Sequence, residues 1–237
     1  MSAVAVVLAG GVGTRMGGEL PKQLIELAGR PILLHSIAAF QAAPEIDEIV
    51  VVMAATHLEE GRDLLASTAF DKLSHVVAGG ATRTESTRRA LALLDQREGI
   101  VLFHDAARPL VTPELIGACV RALQSADAVT AAVASHDTVA SVVAAAGGLV
   151  VTGIADRARL RRVQTPQGFR LSTIRQAYAV ADADSDFVAT DDTSVVLRAL
   201  PDVAVHVVEG DETNIKITTP ADLALAETIL RSRAGSS

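Results

Sequence analysis

The residues best suited to chemistry come early in the chain, where Leu8-Ala9-Gly10-Gly11-Val12-Gly13-Thr14-Arg15-Met16-Gly17-Gly18 runs into Pro21-Lys22-Gln23. A loop this dense in glycine presents bare backbone N–H groups to anionic oxygens. It is not a P-loop, which places Lys and Ser/Thr directly after its last Gly. Nor is it the dinucleotide fingerprint, which needs Gly where Met16 stands. What it does carry is two cations, Arg15 and Lys22. Attack at the α-phosphorus of a nucleoside triphosphate builds charge on the equatorial oxygens and on departing pyrophosphate, and two fixed cations beside a glycine cradle answer that charge. On these residues alone, a plain tight turn and two solvated cations stay open.

A second segment, Ile100 to Phe103, ends in His104-Asp105-Ala106-Ala107-Arg108-Pro109. Read as the carboxyl end of a strand, it belongs on the rim that holds the glycine loop, so an acid and a base face one cleft. Asp105 has three readings: a Mg²⁺ ligand, an acceptor for substrate hydroxyls, or a cap for the next turn. His104 reads as packed or hydrogen-bonded, because an attacking phosphate oxygen is already ionised at neutral pH and needs no base. Further on stand Ala155-Asp156-Arg157, Val163-Gln164-Thr165-Pro166-Gln167-Gly168-Phe169, Thr190-Asp191-Asp192-Thr193-Ser194 and Asn214-Ile215-Lys216-Ile217-Thr218. Asp191-Asp192 has the form of a metal pair, but its place before the apolar run Val195 to Leu200 favours the first turn of a helix. Arg157, Arg159, Arg161 and Arg162 are either a solvated basic face or a ligand site.

Together with Gly79-Gly80-Ala81-Thr82-Arg83-Thr84-Glu85-Ser86, these motifs follow one another over about Val4 to Ile229 in an order that resembles the 2-C-methyl-D-erythritol 4-phosphate cytidylyltransferases, with the D-ribitol 5-phosphate cytidylyltransferases as cousins. The resemblance implies a Rossmann-like α/β domain whose β-arm interlocks two subunits, and transfer of a cytidylyl group from CTP to a polyol phosphate in isoprenoid precursor synthesis. It implies that Arg15 and Lys22 stabilise the transition state, and that Arg157 and Lys216 position the substrate phosphate. Asp105, Arg108 and Thr165 match positions around the polyol phosphate. Ala9, Gly10, Gly11, Gly13, Thr14, Gly80, Ser86 and Ala106 match the nucleotide side. Magnesium is expected to arrive with the triphosphate, since hard cations prefer phosphate oxygens and water, and a dedicated carboxylate cage is not required.

Two departures from the family pattern stand on the nucleotide side. The first loop, Leu8-Ala9-Gly10-Gly11, looks more like the ribitol-phosphate branch, and Ala81 stands where some members carry Asp. Ala107, the Asp156-Arg157 pair and Thr190 to Ser194 look more like the erythritol-phosphate branch and lie on the substrate side. Methylerythritol phosphate is therefore the favoured acceptor, with ribitol phosphate as the alternative. A regulatory subunit that merely binds nucleotide would not need Arg15, Lys22 and Lys216. A hexose-phosphate nucleotidyltransferase shares the first loop but lacks the Thr-Pro-Gln segment.

Elements that alternate must position these residues. Val4 to Leu8, Ile49 to Met53, His75 to Val77, Ile100 to Phe103, Ala128 to Val133 and Val203 to Val208 read as strands buried on both faces. Pro31 to Phe40, Thr84 to Leu94 and Thr112 to Leu123 read as helices, with Thr112-Pro113 and Thr219-Pro220 as helix starts. This is the pattern of a doubly wound, mostly parallel α/β sheet. Ser135 to Arg162, with Gly147-Gly148 at its turn, departs from the rhythm and reads as a protruding β-hairpin arm, against the alternative of an Ala-rich surface loop. A lone two-stranded hairpin is marginal in water, so the arm predicts a homodimer. The chain is expected to be one domain over residues 1–237, frayed only from Ser232 to Ser237.

With 237 residues, 49% of them hydrophobic, and a net charge of −7, the chain is too apolar for disorder and too acidic for a general nucleic-acid binder. Met1 to Leu8 carries no basic n-region and is interrupted at Gly10, Gly11 and Gly13, and no apolar run approaches the roughly 18 residues of a membrane span, so a cytoplasmic protein is expected. The one cysteine, Cys119, reads as a small buried hydrophobe.

Overall fold

Strand β1 (Ala3–Ala9) is buried along its whole length. Its alternation decides the layering: Ala3, Ala5, Val7 and Ala9 enter one core, Val4, Val6 and Leu8 the other. The computed structural model describes residues 1–11, 21–183, 187 and 189–235. After β1 the described elements are β2 (Glu26–Leu27), β3 (Arg30–Pro31), α1 (Ile32–Ala42), β4 (Glu48–Met53), α2 (Leu58–Ala66), β5 (Leu73–Ala78), α3 (Arg83–Leu93), β6 (Ile100–Asp105), α4 (Pro113–Ala122), β7 (Ala128–Ala134), β8 (Ala140–Ala145), β9 (Gly148–Ile154), β10 (Arg161–Arg170), α5 (Leu171–Ala181), α6 (Asp192–Ala199), β11 (Val205–Glu209) and α7 (Pro220–Ala234).

Seven strands form one sheet in the order β11-β7-β10-β6-β1-β4-β5. All neighbours are parallel except β10, which runs antiparallel to both β6 and β7. Residues of α1, α2 and α4 (Ile37, Phe40, Leu65, Ile116) pack on one face; those of α3, α5 and α6 (Leu91, Ile174, Val196) pack on the other. A third cluster of Leu27, Ile32, Leu110, Ile217 and Ala226 seats α7 beside the small β2–β3 ladder. This is the mostly parallel α/β sheet expected from the apolar runs.

Helix starts follow the local chemistry. Thr112 and Thr219 each cap a helix with Pro at its first turn, and Asp191 accepts from the Ser194 N–H to cap α6. The Asp191-Asp192 pair is thus a helix start, not a metal pair. Cys119 is fully buried in α4, and burial pushes its thiol up to about 12.

Three sequence expectations need correction. β10 was not foreseen, and because Arg161 and Arg162 already pair with Ala134 and Val133, the arm ends before the Arg162 boundary assigned to it. Strand 203–208 begins only at Val205. Ser232 to Ala234, expected to fray, complete α7.

The arm itself is a separate two-stranded sheet, β8 against β9, turning at Gly147 and Gly148 with φ of 103° and 138°. Its apolar side chains lie in the open: Val142, Val143, Leu149, Val150, Val151 and Ile154 are 47% to 72% exposed. Among the described residues no helix is long and apolar enough to cross a membrane.

Candidate active site

Two parallel strands end side by side, with Leu8 of β1 opposite Asp105 of β6. Beyond those ends lies a cleft of about 320 Å³, within the range of small-molecule sites. Ala9, Gly10 and Gly11 form one wall, and Asp105, Ala106 and Ala107 the next. Gly80, Ala81, Thr82, Arg83 and Ser86 bring in the amino-terminal turn of α3, while Lys22 and Lys216 enter from two further loops.

Each wall is fixed locally. Buried Gln23 donates from Nε2 to the Ala9 carbonyl at 2.6 Å, holding the segment that carries Lys22 against the end of β1. Ser36 Oγ donates to the Ala106 carbonyl at 3.0 Å. At α3, the Thr82 hydroxyl accepts from the Glu85 N–H, and the Gly80 N–H donates to Ser86 Oγ at 3.1 Å. A Cβ on Gly80 would collide with Glu85, so the chain passes here only without a side chain.

Charge is concentrated at Asp105. Lys216 Nζ is 2.7 Å from Oδ2, and Arg83 Nε is 3.3 Å from Oδ1. Burial works against the charged carboxylate, but Arg83 and Lys216 outweigh it and hold Asp105 well below the usual carboxylate range. Behind it His104 is fully buried, its Nε2 3.1 Å from the Arg108 carbonyl and its Nδ1 3.0 Å from Thr165 Oγ1. A carbonyl only accepts, so Nε2 carries the proton and Nδ1 accepts from the Thr165 hydroxyl. Desolvation brings His104 down to about 4 and keeps it neutral, as the packed reading requires.

Most of the residues singled out from the sequence meet in this cleft: Ala9, Gly10, Gly11, Lys22, Gly80, Ser86, Asp105, Ala106 and Lys216 all line it. Gly13, Thr14 and Arg15 fall outside the described residues. Thr165 and Arg108 stand behind the wall and do not line it. Thr165 Oγ1 accepts from the Asp105 N–H at 3.1 Å; Arg108 donates to the Asn214 carbonyl at 2.8 Å and the Val163 carbonyl at 3.3 Å. Both side chains brace the site through backbone groups. Arg157 lies in a short 3-10 turn at the base of the arm, exposed and outside the cleft lining.

Sequence reasoning missed three contributors. Gln164 accepts from the Asp211 N–H and donates to the Asp211 carbonyl at 2.8 Å, fastening the loop that leads to Lys216. Gln167 accepts from the Asp192 N–H at 3.1 Å and the Thr193 N–H at 3.3 Å, satisfying free donors at the start of α6. The third is Arg83. The structure starts α3 at Arg83, one residue before the Thr84 read from the sequence, which puts a cation at the first helical position, where the dipole disfavours one.

Among the described residues no cluster of three His, Cys, Asp or Glu side chains is arranged to hold a metal. Among its described lining residues the cleft offers one carboxylate, Asp105, which fits a cation carried mainly by phosphate oxygens and water.

Comparison with known proteins places these features in context. The family model described as 2-C-methyl-D-erythritol 4-phosphate cytidylyltransferase matches residues 3–232. A protein of that name from Thermobifida fusca is 55% identical over 230 residues, 96% of this chain and 92% of the relative. A bifunctional ribulose 5-phosphate reductase/CDP-ribitol pyrophosphorylase from Haemophilus influenzae is 38% identical over 232 residues, 97% of this chain but 48% of that protein. The crystal structure of 4-diphosphocytidyl-2C-methyl-D-erythritol synthase from Anaerococcus prevotii superposes with a TM-score of 0.83 at 32% identity, covering 97% of this chain and 96% of the other.

Proposed function

This chain belongs to the 2-C-methyl-D-erythritol 4-phosphate cytidylyltransferase family, and from that premise we infer that it transfers the cytidylyl group of CTP to 2-C-methyl-D-erythritol 4-phosphate. A phosphate oxygen of the acceptor attacks the α-phosphorus of CTP, a new P–O bond forms, and the bond to the β-phosphate bridge breaks to release pyrophosphate. The acceptor oxygen is already ionised, so no protein base is needed, in keeping with the neutral, buried His104. The observation that carries the reading is the convergence of Lys22, Lys216 and Asp105 on one cleft at the carboxyl ends of β1 and β6.

In this proposal Arg15 and Lys22 meet the charge that grows on the α-phosphate and the leaving pyrophosphate, and Lys216 holds the acceptor phosphate. Asp105 accepts hydrogen bonds from acceptor hydroxyls. Ala9, Gly10, Gly11, Gly13, Thr14, Gly80, Ser86 and Ala106 cradle the nucleotide, while Thr165 and Arg108 support the substrate side. Mg²⁺ bound to CTP would neutralise triphosphate charge, and among the described residues Asp105 would be the carboxylate available to it.

We also propose a homodimer, the arm lying against the neighbouring subunit and bringing Arg157 to that subunit's acceptor site. The exposed Val and Ile side chains of β8 and β9 support it, since a lone hairpin needs a partner surface. The chain would then act as one nucleotidyltransferase domain with an assembly arm, in the cytoplasm.

The test is a screen of CTP, UTP, ATP and GTP against methylerythritol phosphate and ribitol phosphate, reading pyrophosphate release. CTP with methylerythritol phosphate should react fastest. Preference for UTP would overturn the donor assignment, and preference for ribitol phosphate the acceptor.

A further inference from the structure

Arg83 lines the cleft, yet the roles given above leave it without one. It is the first residue of α3, and its side chain is only 26% exposed, so a cation sits partly buried at the positive end of a helix. Two carboxylates hold it there. Nη1 is 2.7 Å from Asp192 Oδ2, and Nε is 3.3 Å from Asp105 Oδ1. Burial lowers the tendency of Arg83 to stay charged, but Asp192 and Asp105 more than restore it.

Asp192 is itself completely buried, in the first turn of α6. Its Oδ1 accepts from the Tyr178 hydroxyl at 2.7 Å and from the Thr87 hydroxyl at 2.9 Å. Asp105 passes the row on to Lys216 at 2.7 Å. Four side chains of alternating sign thus run from the interior to the cleft: Asp192, Arg83, Asp105, Lys216. Only the last three line the cleft, and of the side chains that touch Asp192, Arg83 is the one that lines it. The planar guanidinium fork spans two carboxylates at once, which a lysine ammonium on its flexible stem does not reproduce.

We propose that Asp192 and Arg83 are positioning residues for cytidylyl transfer. Asp192 anchors the guanidinium from behind, and the guanidinium fixes Asp105, which in turn sets Lys216 where the acceptor phosphate is held. The proposal rests on the cytidylyl-transfer reading above.

The test is steady-state kinetics and thermal unfolding of the full chain for Asp192→Asn, Arg83→Lys, Asp105→Asn and the two doubles that combine Asp105→Asn with each of the others. Asp192→Asn should lower kcat/KM for the acceptor roughly tenfold or more while the KM for CTP changes little. In the Asp105→Asn background the same substitution should cost almost nothing, because the path it acts through is already cut. An equal loss in both backgrounds, or wild-type kinetics in Asp192→Asn, would overturn the proposal, since a merely structural role predicts additivity. If Asp192→Asn shows no cooperative unfolding transition, Arg83→Lys carries the test: non-additivity with Asp105→Asn supports the proposal and additivity rejects it. Lack of pyrophosphate release by the wild-type chain would instead reject the functional reading, so the two failures are distinguishable.

Discussion

Lys216 Nζ and Asp105 Oδ2 lie 2.7 Å apart although the residues are 111 positions apart in sequence. The pair joins the loop after β11 to the end of β6. It gives each side chain a reason for its place: the carboxylate fixes the lysine over the cleft, and the lysine helps keep the carboxylate ionised.

Replacing Lys216 with Ala should therefore weaken use of the acceptor. Loss of one charge-assisted contact costs about 1.5 to 3 kcal/mol, or roughly 10- to 150-fold in kcat/KM for methylerythritol phosphate. The KM for CTP should shift far less. Initial rates at varied acceptor and fixed, saturating CTP make the comparison.

Lys22→Ala should behave differently, because the charge it meets grows toward the transition state. Turnover should fall by roughly 10² to 10³, or about 3 to 4 kcal/mol, with CTP binding mostly kept. Calorimetric titration of CTP alongside single-turnover rates separates the two. A mutant with wild-type turnover and only a raised KM for CTP would make Lys22 a ground-state binder.

Removing Asp137 to Gly153 and closing the gap with a short turn should give a monomer that still binds CTP but uses the acceptor poorly. Sedimentation velocity at micromolar concentration reads the first outcome and titration the second. An intact protein already monomeric at that concentration would rule the arm out as an assembly element.

Asp222 gives a pH prediction away from the cleft. Its Oδ2 accepts from the Thr218 N–H, the Thr218 hydroxyl and the Thr219 N–H, each at 2.8 Å. Burial raises its pKa, but these hydrogen bonds outweigh burial and leave it below the ordinary value. A carboxyl depressed in the folded state contributes stability that is complete above the unfolded pKa of about 3.9 and is lost as pH falls through the folded value. Asp222→Asn should cost about 1 kcal/mol near neutrality. The gap in thermal midpoint between it and wild type should close below about pH 4.

The sequence announced those parts of the molecule whose burial is continuous. β1, β4 and β6 are unbroken apolar runs because both faces are covered, and Thr112-Pro113 and Thr219-Pro220 start helices by local chemistry alone. β10 escaped notice because its interior positions carry Gln164, Thr165 and Gln167, which are buried to hydrogen-bond, not to exclude water. Gly168 in the same strand serves packing. A Cβ there would come 2.8 Å from Leu123 Cδ1, so the glycine lets the end of α4 pack on the strand. In the cleft, glycines and cations next to each other in sequence were legible. The Arg83–Asp192 contact was not, since it joins two helix starts that only the folded sheet brings together.

Mechanically, β10 is a beam. The strand that returns from the arm runs from Arg161 to Arg170 as one element, and Gln164, which fastens the Lys216 loop, and Gln167, which fastens the start of α6, sit on it. At a rise of roughly 3.3 Å per residue, the start of β10 stands about 10 Å from the first of these fasteners. Between β9 and β10 stand residues 155–160 alone, half of them in the 3-10 turn of Arg157–Arg159. Whatever seats the arm thus bears on the same strand that fastens the frame of the reaction site.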